Sequence, residues 1–278
     1  MTDRNTIAAA YDAGVDEEYN RLVSTPLCEA EFMLVSELLS EYISEGSTVI
    51  DIGAGPGRYA EFLLSKNCNV GTIDLSALSL ASFTKRINGN YGKSLLFSKT
   101  SCATELEWVQ SESADAVLLM GPLYHLTSEE ERTKAIANSY RILKKGGVVF
   151  SIFMSPYPKL NPLLEGADSI LTNRELINTV QENCTTKVMF QGFEIEQYRC
   201  WPLYAREIME KQDFITERIR NIEGVGSFYN KQNLSEFDNN NSKQALFRML
   251  RNTCENPNLL GITHQYLYVG KKGDNIHL

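Results

Sequence analysis

Only three histidines occur in the 278 residues, and the six cysteines (Cys28, Cys68, Cys102, Cys184, Cys200, Cys254) stand far apart with no Cys-x-x-Cys pair. That combination offers no zinc framework, because a structural zinc needs clustered thiolate or imidazole ligands. Scattered cysteines of this kind read as reduced, mostly buried thiols. No apolar run approaches the roughly 20 residues that span a bilayer, and the opening Met-Thr-Asp-Arg-Asn lacks the apolar core of a signal peptide. Basic residues are outnumbered 27 to 35, for a net charge of -8, which argues against nucleic acid as an obligate partner. The expectation is a soluble cytoplasmic protein with no metal, no membrane contact and no nucleic acid. Oligomeric state has no signature in the sequence.

What is present is an ordinary globular composition, 43% apolar and 22% charged, in a chain long enough for one core with a sizeable insertion. Residues 1–21 are acidic and rich in helix formers. A second helical pattern follows Pro26, with Phe32, Val35, Leu38, Leu39 and Tyr42 at helical spacing before Gly46. From residue 47, strand-like runs at 48–52, 69–74, 94–98, 115–120 and 147–154 alternate with helical segments at 57–66, 76–88 and 128–143. Strands separated in this way need right-handed crossovers and a parallel sheet. The helix at 128–143 has Ser128 as its cap, three glutamates in its first turn and Lys144-Lys145-Gly146-Gly147 at its end, which suits its dipole.

After Met154 the alternation breaks down. Ser155-Pro-Tyr-Pro158 and Asn161-Pro162 lead into a segment, 163–200, that reads as mostly helical. A helix near 202–212, strands at 214–220 and 264–271, a loop at Asp238–Asn241 and a helix from Ser242 complete the chain. The pattern divides into a helical cap (1–46), an α/β core (47–154), a lid insertion (155–200) and the C-terminal part of the sheet (201–278). Insertions after the carboxyl ends of strands lie over the ligand crevice of such a sheet.

The most telling stretch is Thr48-Val-Ile-Asp-Ile-Gly-Ala-Gly-Pro-Gly-Arg-Tyr-Ala60. A buried strand ends in an acid, and glycines at alternate positions lead into a helix. Dinucleotide enzymes prefer G-x-G-x-x-G, with pyrophosphate on the helix N-terminus. Here Arg58 stands where the third glycine of that motif falls, and Pro56 removes a backbone N–H from the loop. An acid before the loop repels pyrophosphate but suits a sulfonium or ammonium group. A second acid, Asp74 in Thr72-Ile-Asp-Leu-Ser76, ends the next strand at the spacing that serves ribose hydroxyls.

These segments, with Ala114-Asp-Ala-Val-Leu-Leu-Met-Gly-Pro-Leu-Tyr-His-Leu126, Arg141-Ile-Leu-Lys-Lys-Gly-Gly-Val-Val-Phe150 and the tail 258–271, resemble class I S-adenosylmethionine-dependent methyltransferases. Gly121-Pro-Leu-Tyr-His125 is similar to a bacterial subgroup of that superfamily. The resemblance implies a Rossmann-like sheet of seven mostly parallel strands, with helices on both faces, an N-terminal helical segment and a helical lid. It implies S-adenosylmethionine as cofactor and S-adenosylhomocysteine as product. Gly53, Gly55 and Gly57 would line the methionine part, Asp51 would support the loop or face the cofactor's ammonium side, Asp74 would hold the ribose, and Leu75 would flank the adenine. Cys102 replaces the acid that many relatives carry beside the adenine, leaving the Ala103 backbone for that contact. Met120 and Gly121 would lie beside the transferred methyl.

The acceptor is a separate question. A hydroxyl or ammonium nucleophile needs a general base, whereas a carboxylate needs only orientation, for which arginine's fork is suited. His125 is either that base or a structural histidine beside Tyr124, which itself either touches substrate or packs. Tyr11, Glu18, Tyr19 and Arg21 resemble the subgroup's Tyr…Glu-aromatic-x-Arg pattern, in a segment that often closes over the cofactor. Arg199, Tyr204 and Arg206 either clamp an anionic substrate or are surface and helix residues. The expected reaction is O-methylation, of a hydroxyl or a carboxylate, on a small metabolite or peptide. N-methylation, a non-catalytic cofactor-binding scaffold and a nicotinamide oxidoreductase are the alternatives.

Overall fold

The computed structural model describes residues 2–91, 94–156, 184–224, 226 and 239–273. Three helices open the chain: α1 (Arg4–Ala13), α2 (Val15–Arg21) and α3 (Pro26–Tyr42). Asp3 caps α1 by accepting the N–H groups of Asn5 and Thr6, and Thr25 caps α3 with Pro26 in its first turn, where a missing N–H costs nothing. The alternating part then runs β1 (Thr48–Ile52), α4 (Arg58–Ser65), β2 (Asn69–Asp74), α5 (Ala77–Ile87), β3 (Leu95–Thr100), β4 (Ala114–Leu119), α6 (Pro122–His125), α7 (Glu129–Ile142) and β5 (Leu143–Met154). The hairpin β6 (Cys184–Phe190) and β7 (Phe193–Arg199) follows, then α8 (Pro202–Glu210), β8 (Phe214–Asn221), α9 (Asn240–Thr253) and β9 (Gln265–Lys272).

Seven strands form one sheet in the order β3-β2-β1-β4-β5-β9-β8. The first five are parallel to their neighbours, while β9 runs antiparallel between β5 and β8. Both faces are buried, as the near-continuous apolar strands require. Ile50, Ile52, Val117 and Val149 pack on one side with Ala135 and Ile136 of α7 and Met209 of α8. Val49, Val70, Leu118 and Phe150 pack on the other with Leu38, Leu63 and Phe83 from α3, α4 and α5. This is the Rossmann-like α/β sheet implied by the resemblance.

Three boundaries differ from expectation. Leu143–Gly147, read as a helix end, already pairs with β4 across an irregularity between Ala114 and Ala116. Helix α9 starts two residues before Ser242, capped by the Asn239 side chain. The described part of the insertion, 184–199, is a β-hairpin rather than helix, because Thr185, Thr186, Val188 and Phe190 suit a pleated surface. Its turn is Gln191-Gly192, both at positive φ, the conformation that matches strand twist in a tight hairpin. Pro158, Asn161-Pro162 and the helical reading of 163–183 lie outside the described residues, as do Asp238 and His277. The insertion leaves the core after Met154 and returns at Cys200, whose N–H donates to the Met154 carbonyl at 2.9 Å.

Candidate functional site

At the carboxyl ends of β1, β2 and β4 lies a cavity of about 440 Å³, within the range of small-ligand sites. Its floor is the glycine loop, where Gly53, Gly55 and Pro56 line it with Asp51. Gly55 has φ +53 and open space where a Cβ would be. Its N–H donates to Asp74 Oδ2 at 2.7 Å, and the Ser76 N–H donates to Asp74 Oδ1 at 2.7 Å. Gly57 does not line the cavity. A Cβ there would lie 2.2 Å from the Phe83 ring, so this glycine lets α4 and α5 approach. That corrects its assignment to the cofactor's methionine part. Gly53 serves a similar contact above the loop, where a Cβ would strike Pro122 of α6.

One end of the cavity is formed by Asp74, Leu75, Ser76, Ser101, Cys102 and Ala103. Cys102 Sγ accepts from Thr104 Oγ1 at 3.1 Å, and the Ala103 carbonyl is held by Asn138. The other end gathers Tyr11, Glu18, Arg21, Tyr59, Met120, Gly121, Tyr124 and His125. Tyr11 Oη lies 2.7 Å from His125 Nε2, and Tyr124 also interacts with the Tyr11 hydroxyl. Burial holds His125 neutral by lowering its pKa to about 4, and its Nδ1 has no hydrogen-bond partner among the described residues. Burial likewise keeps both phenols protonated, with Tyr124 pushed up to about 12 and Tyr11 well above its ordinary value.

The charges in this space are unbalanced. Asp51 is 3% exposed, and burial, aided by neighbouring Asp74, raises it to about 8. Burial also raises Asp74 to about 6, against the pull of its backbone hydrogen bonds. The arginines that line the cavity are already engaged. Arg21 donates to Glu18 at 3.0 Å and to both oxygens of the buried Glu31 at 3.0 and 3.2 Å. Arg4 pairs with Glu105 and Glu131, and Arg58 donates to the Tyr19 carbonyl. Two carboxyl groups with no cation paired to them among the described residues, Asp51 buried and Asp74 partly so, fit a positively charged ligand and oppose a pyrophosphate, as the open Gly55 face fits close backbone approach.

The cap closes this site. Asp12 of α1 hydrogen-bonds Ser76, the cap of α5. The backbone of Thr2 donates to Glu196 of β7, and Tyr11 packs on Phe190 of β6 with ring centres 5.0 Å apart. The proposed clamp is not brought to the cavity. Arg199 is 3% exposed and spends its donors on Thr186, Ser155 and Gln197. Arg206 is a surface residue paired with Glu210, and Tyr204 packs against the core. These three are corrected from substrate contacts to parts of the scaffold. Sequence reading missed Tyr59, whose buried hydroxyl has no hydrogen-bond partner among the described residues, and Glu31. The signal for Glu31 was a lone acid on the buried face of α3, among Ala30, Leu34 and Val35.

Among the described residues no group of His, Cys, Asp or Glu could hold a metal ion, and no helix is long and apolar enough to cross a membrane. The six cysteines are free, four of them buried.

Residues 49–147 match the model of a methyltransferase domain. No curated protein matches the sequence. Among solved structures, an S-adenosylmethionine-dependent methyltransferase from Methanosarcina mazei superposes with a TM-score of 0.58 at 14% identity, covering 85% of this chain and 97% of that one. A 1,6-didemethyltoxoflavin N1-methyltransferase from Burkholderia thailandensis, solved with S-adenosylhomocysteine, gives 0.54 at 12% identity, with 99% and 92% covered. The cyclase SpnF gives 0.54 at 14%, with 86% and 81% covered. At these identities the likeness is one of fold. The matched stretch, with its acid-flanked glycine loop, is a methyltransferase domain on a Rossmann-like α/β fold.

Proposed function

We propose that the chain O-methylates a hydroxyl group of a small molecule bound at the His125 end of the cavity. The single observation that carries this reading is the Tyr11 hydroxyl 2.7 Å from Nε2 of a neutral His125 at the edge of the cavity. When bound, S-adenosylmethionine supplies an electrophilic methyl group on a sulfonium. Asp74 would hold its ribose, Leu75 and the backbone at Ala103 its adenine, and Asp51 its ammonium side. Met120 and Gly121 would flank the reacting centre. The acceptor oxygen gains the methyl group and loses its proton. The Tyr11 hydroxyl would pass that proton to His125 Nε2, while the methyl–sulfur bond would break as the oxygen–methyl bond forms, with neutral S-adenosylhomocysteine as the leaving group.

Arg21 weighs against a carboxylate acceptor, because Glu18 and Glu31 already occupy it. An enclosed space of this size favours a small acceptor over a peptide. A nitrogen acceptor is the second reading, favoured by the excess of carboxylates, which would attract a cationic amine.

Methyl transfer from labelled S-adenosylmethionine to panels of alcohols, phenols, amines and carboxylates tests the proposal. The expected product is a methyl ether, and His125→Asn lowers kcat by about 10²- to 10⁴-fold. Methyl esters as the only products, with activity surviving in His125→Asn, would sink it.

A further inference from the structure

Glu18 and Arg21 of α2 line the cavity, but Tyr19 between them faces α4 and α5. The Arg58 guanidinium carbon lies 3.7 Å from the centre of its ring and that of Arg86 lies 3.5 Å away. Two guanidinium groups at those distances cannot share one face, so the ring is held between them. The Tyr19 hydroxyl donates to Glu61 Oε2 at 2.9 Å, and the same oxygen accepts from Arg86 Nε at 3.3 Å. Burial and the Glu61 bond both raise the phenol's pKa, which keeps that donor in place. Arg58 Nε and Nη2 donate to the Tyr19 carbonyl at 3.0 and 2.6 Å. Arg86 also donates to the carbonyl of Pro56, in the glycine loop.

One side chain thus ties the cap to the helix end of the loop: to Pro56 through Arg86, and to the first residue of α4 through Arg58. Of the other cap contacts, Tyr11 to His125 joins two residues that line the cavity, while Asp12 to Ser76 and Thr2 to Glu196 hold α1 to α5 and β7. Tyr19 stands outside the cavity. We propose that Tyr19 is a latch that retains the cofactor, a positioning residue whose ring must leave the space between Arg58 and Arg86 before ligand can exchange. Without the ring, two like charges face each other across that space with Glu61 paired to Arg86 alone, and the loop they support is free to shift. This inference rests on the S-adenosylmethionine reading of the cavity.

The test is the release rate of S-adenosylhomocysteine from the full chain, which needs no acceptor. Tyr19→Ala is expected to release it at least about tenfold faster, from the loss of two cation–π contacts and the hydrogen bond. Tyr19→Phe keeps the sandwich and should stay within about threefold of wild type. Hydrogen exchange should rise in α1 and α2 and stay unchanged in β1 and β4. Should Tyr19→Ala fail to fold, Arg86→Gln, which removes one face of the sandwich, carries the same expectation. Release at the wild-type rate overturns the latch, as do equal losses in the Ala and Phe variants. Faster exchange in β1 and β4 also overturns it, since the fold as a whole would then have loosened. A wild-type chain that binds no S-adenosylhomocysteine would instead fail the reading of the site.

Discussion

His125 owes its chemistry to burial. An imidazole lowered to about 4 is already in its free-base form throughout the physiological range, so no proton must be removed before it can accept one. The expected consequence is a pH profile of kcat/KM, which reports the free enzyme, with no histidine limb near 6.5. Any acid limb from this residue falls near pH 4. Tyr11→Phe removes its one hydrogen-bond partner and should lower kcat about 10-fold or more while leaving the KM for S-adenosylmethionine nearly unchanged. An acid limb near 6.5 that disappears in His125→Asn would count against the buried, neutral assignment. At this scale the sequence pointed to Asp51, Asp74 and His125, which all line the cavity, because each ends a recognisable strand or follows one. Arg199, Tyr204 and Arg206 were misjudged, since a basic or aromatic residue near an insertion carries no mark of where its side chain will point.

Two glycines of one loop separate packing from binding at the scale of secondary elements. Gly57 starts α4 at φ +82 with Phe83 of α5 against its Cα. Gly57→Ala combines left-handed backbone strain with a clash in a packed layer, and about 2–4 kcal/mol of stability should be lost. Gly55, at φ +53 with nothing within 4 Å, carries only the strain, about 1–2 kcal/mol. Its added methyl projects into the cofactor space, so Gly55→Ala should raise the Kd for S-adenosylhomocysteine by about tenfold or more. Denaturant melts and calorimetry on both variants check the contrast, which fails if the two change stability and affinity in the same proportion. The elements themselves were mostly readable, because buried strands and capped helices carry strong local patterns. The hairpin at 184–199 was not. Its Gln191-Gly192 turn is a weaker signal than Asn-Gly, and one face of β7 meets α1 rather than solvent.

For the molecule as a whole, the cavity charge links cofactor binding to pH. The folded protein holds on Asp51 a proton that the unfolded chain loses near pH 3.8, and keeps it to about pH 8. Stability from this group therefore falls as pH rises through that window. Asparagine has no such proton, so Asp51→Asn should raise the Tm of the cofactor-free protein by an increment that grows from pH 4 to pH 8. A cation bound beside Asp51 pulls its pKa back down, so S-adenosylmethionine should bind with proton release at pH 7. Calorimetry in buffers of different ionisation enthalpy reads that release directly. An unchanged heat across buffers, with no pH-dependent gain in Asp51→Asn, would place Asp51 away from the cofactor's positive charge.

The sequence by itself determined the parallel core and the glycine loop with its two acids. These are properties of consecutive residues, set by periodicity, turn chemistry and the charge next to a loop. Only the tertiary structure decided how the cavity is closed. Tyr11 meets His125 across 114 positions, Arg21 is taken up by Glu31, and Tyr19 is caught between Arg58 and Arg86. Such contacts depend on how α1 and α2 fold back over the sheet. Desolvation and pairing in that closed space then set which charges remain for a ligand.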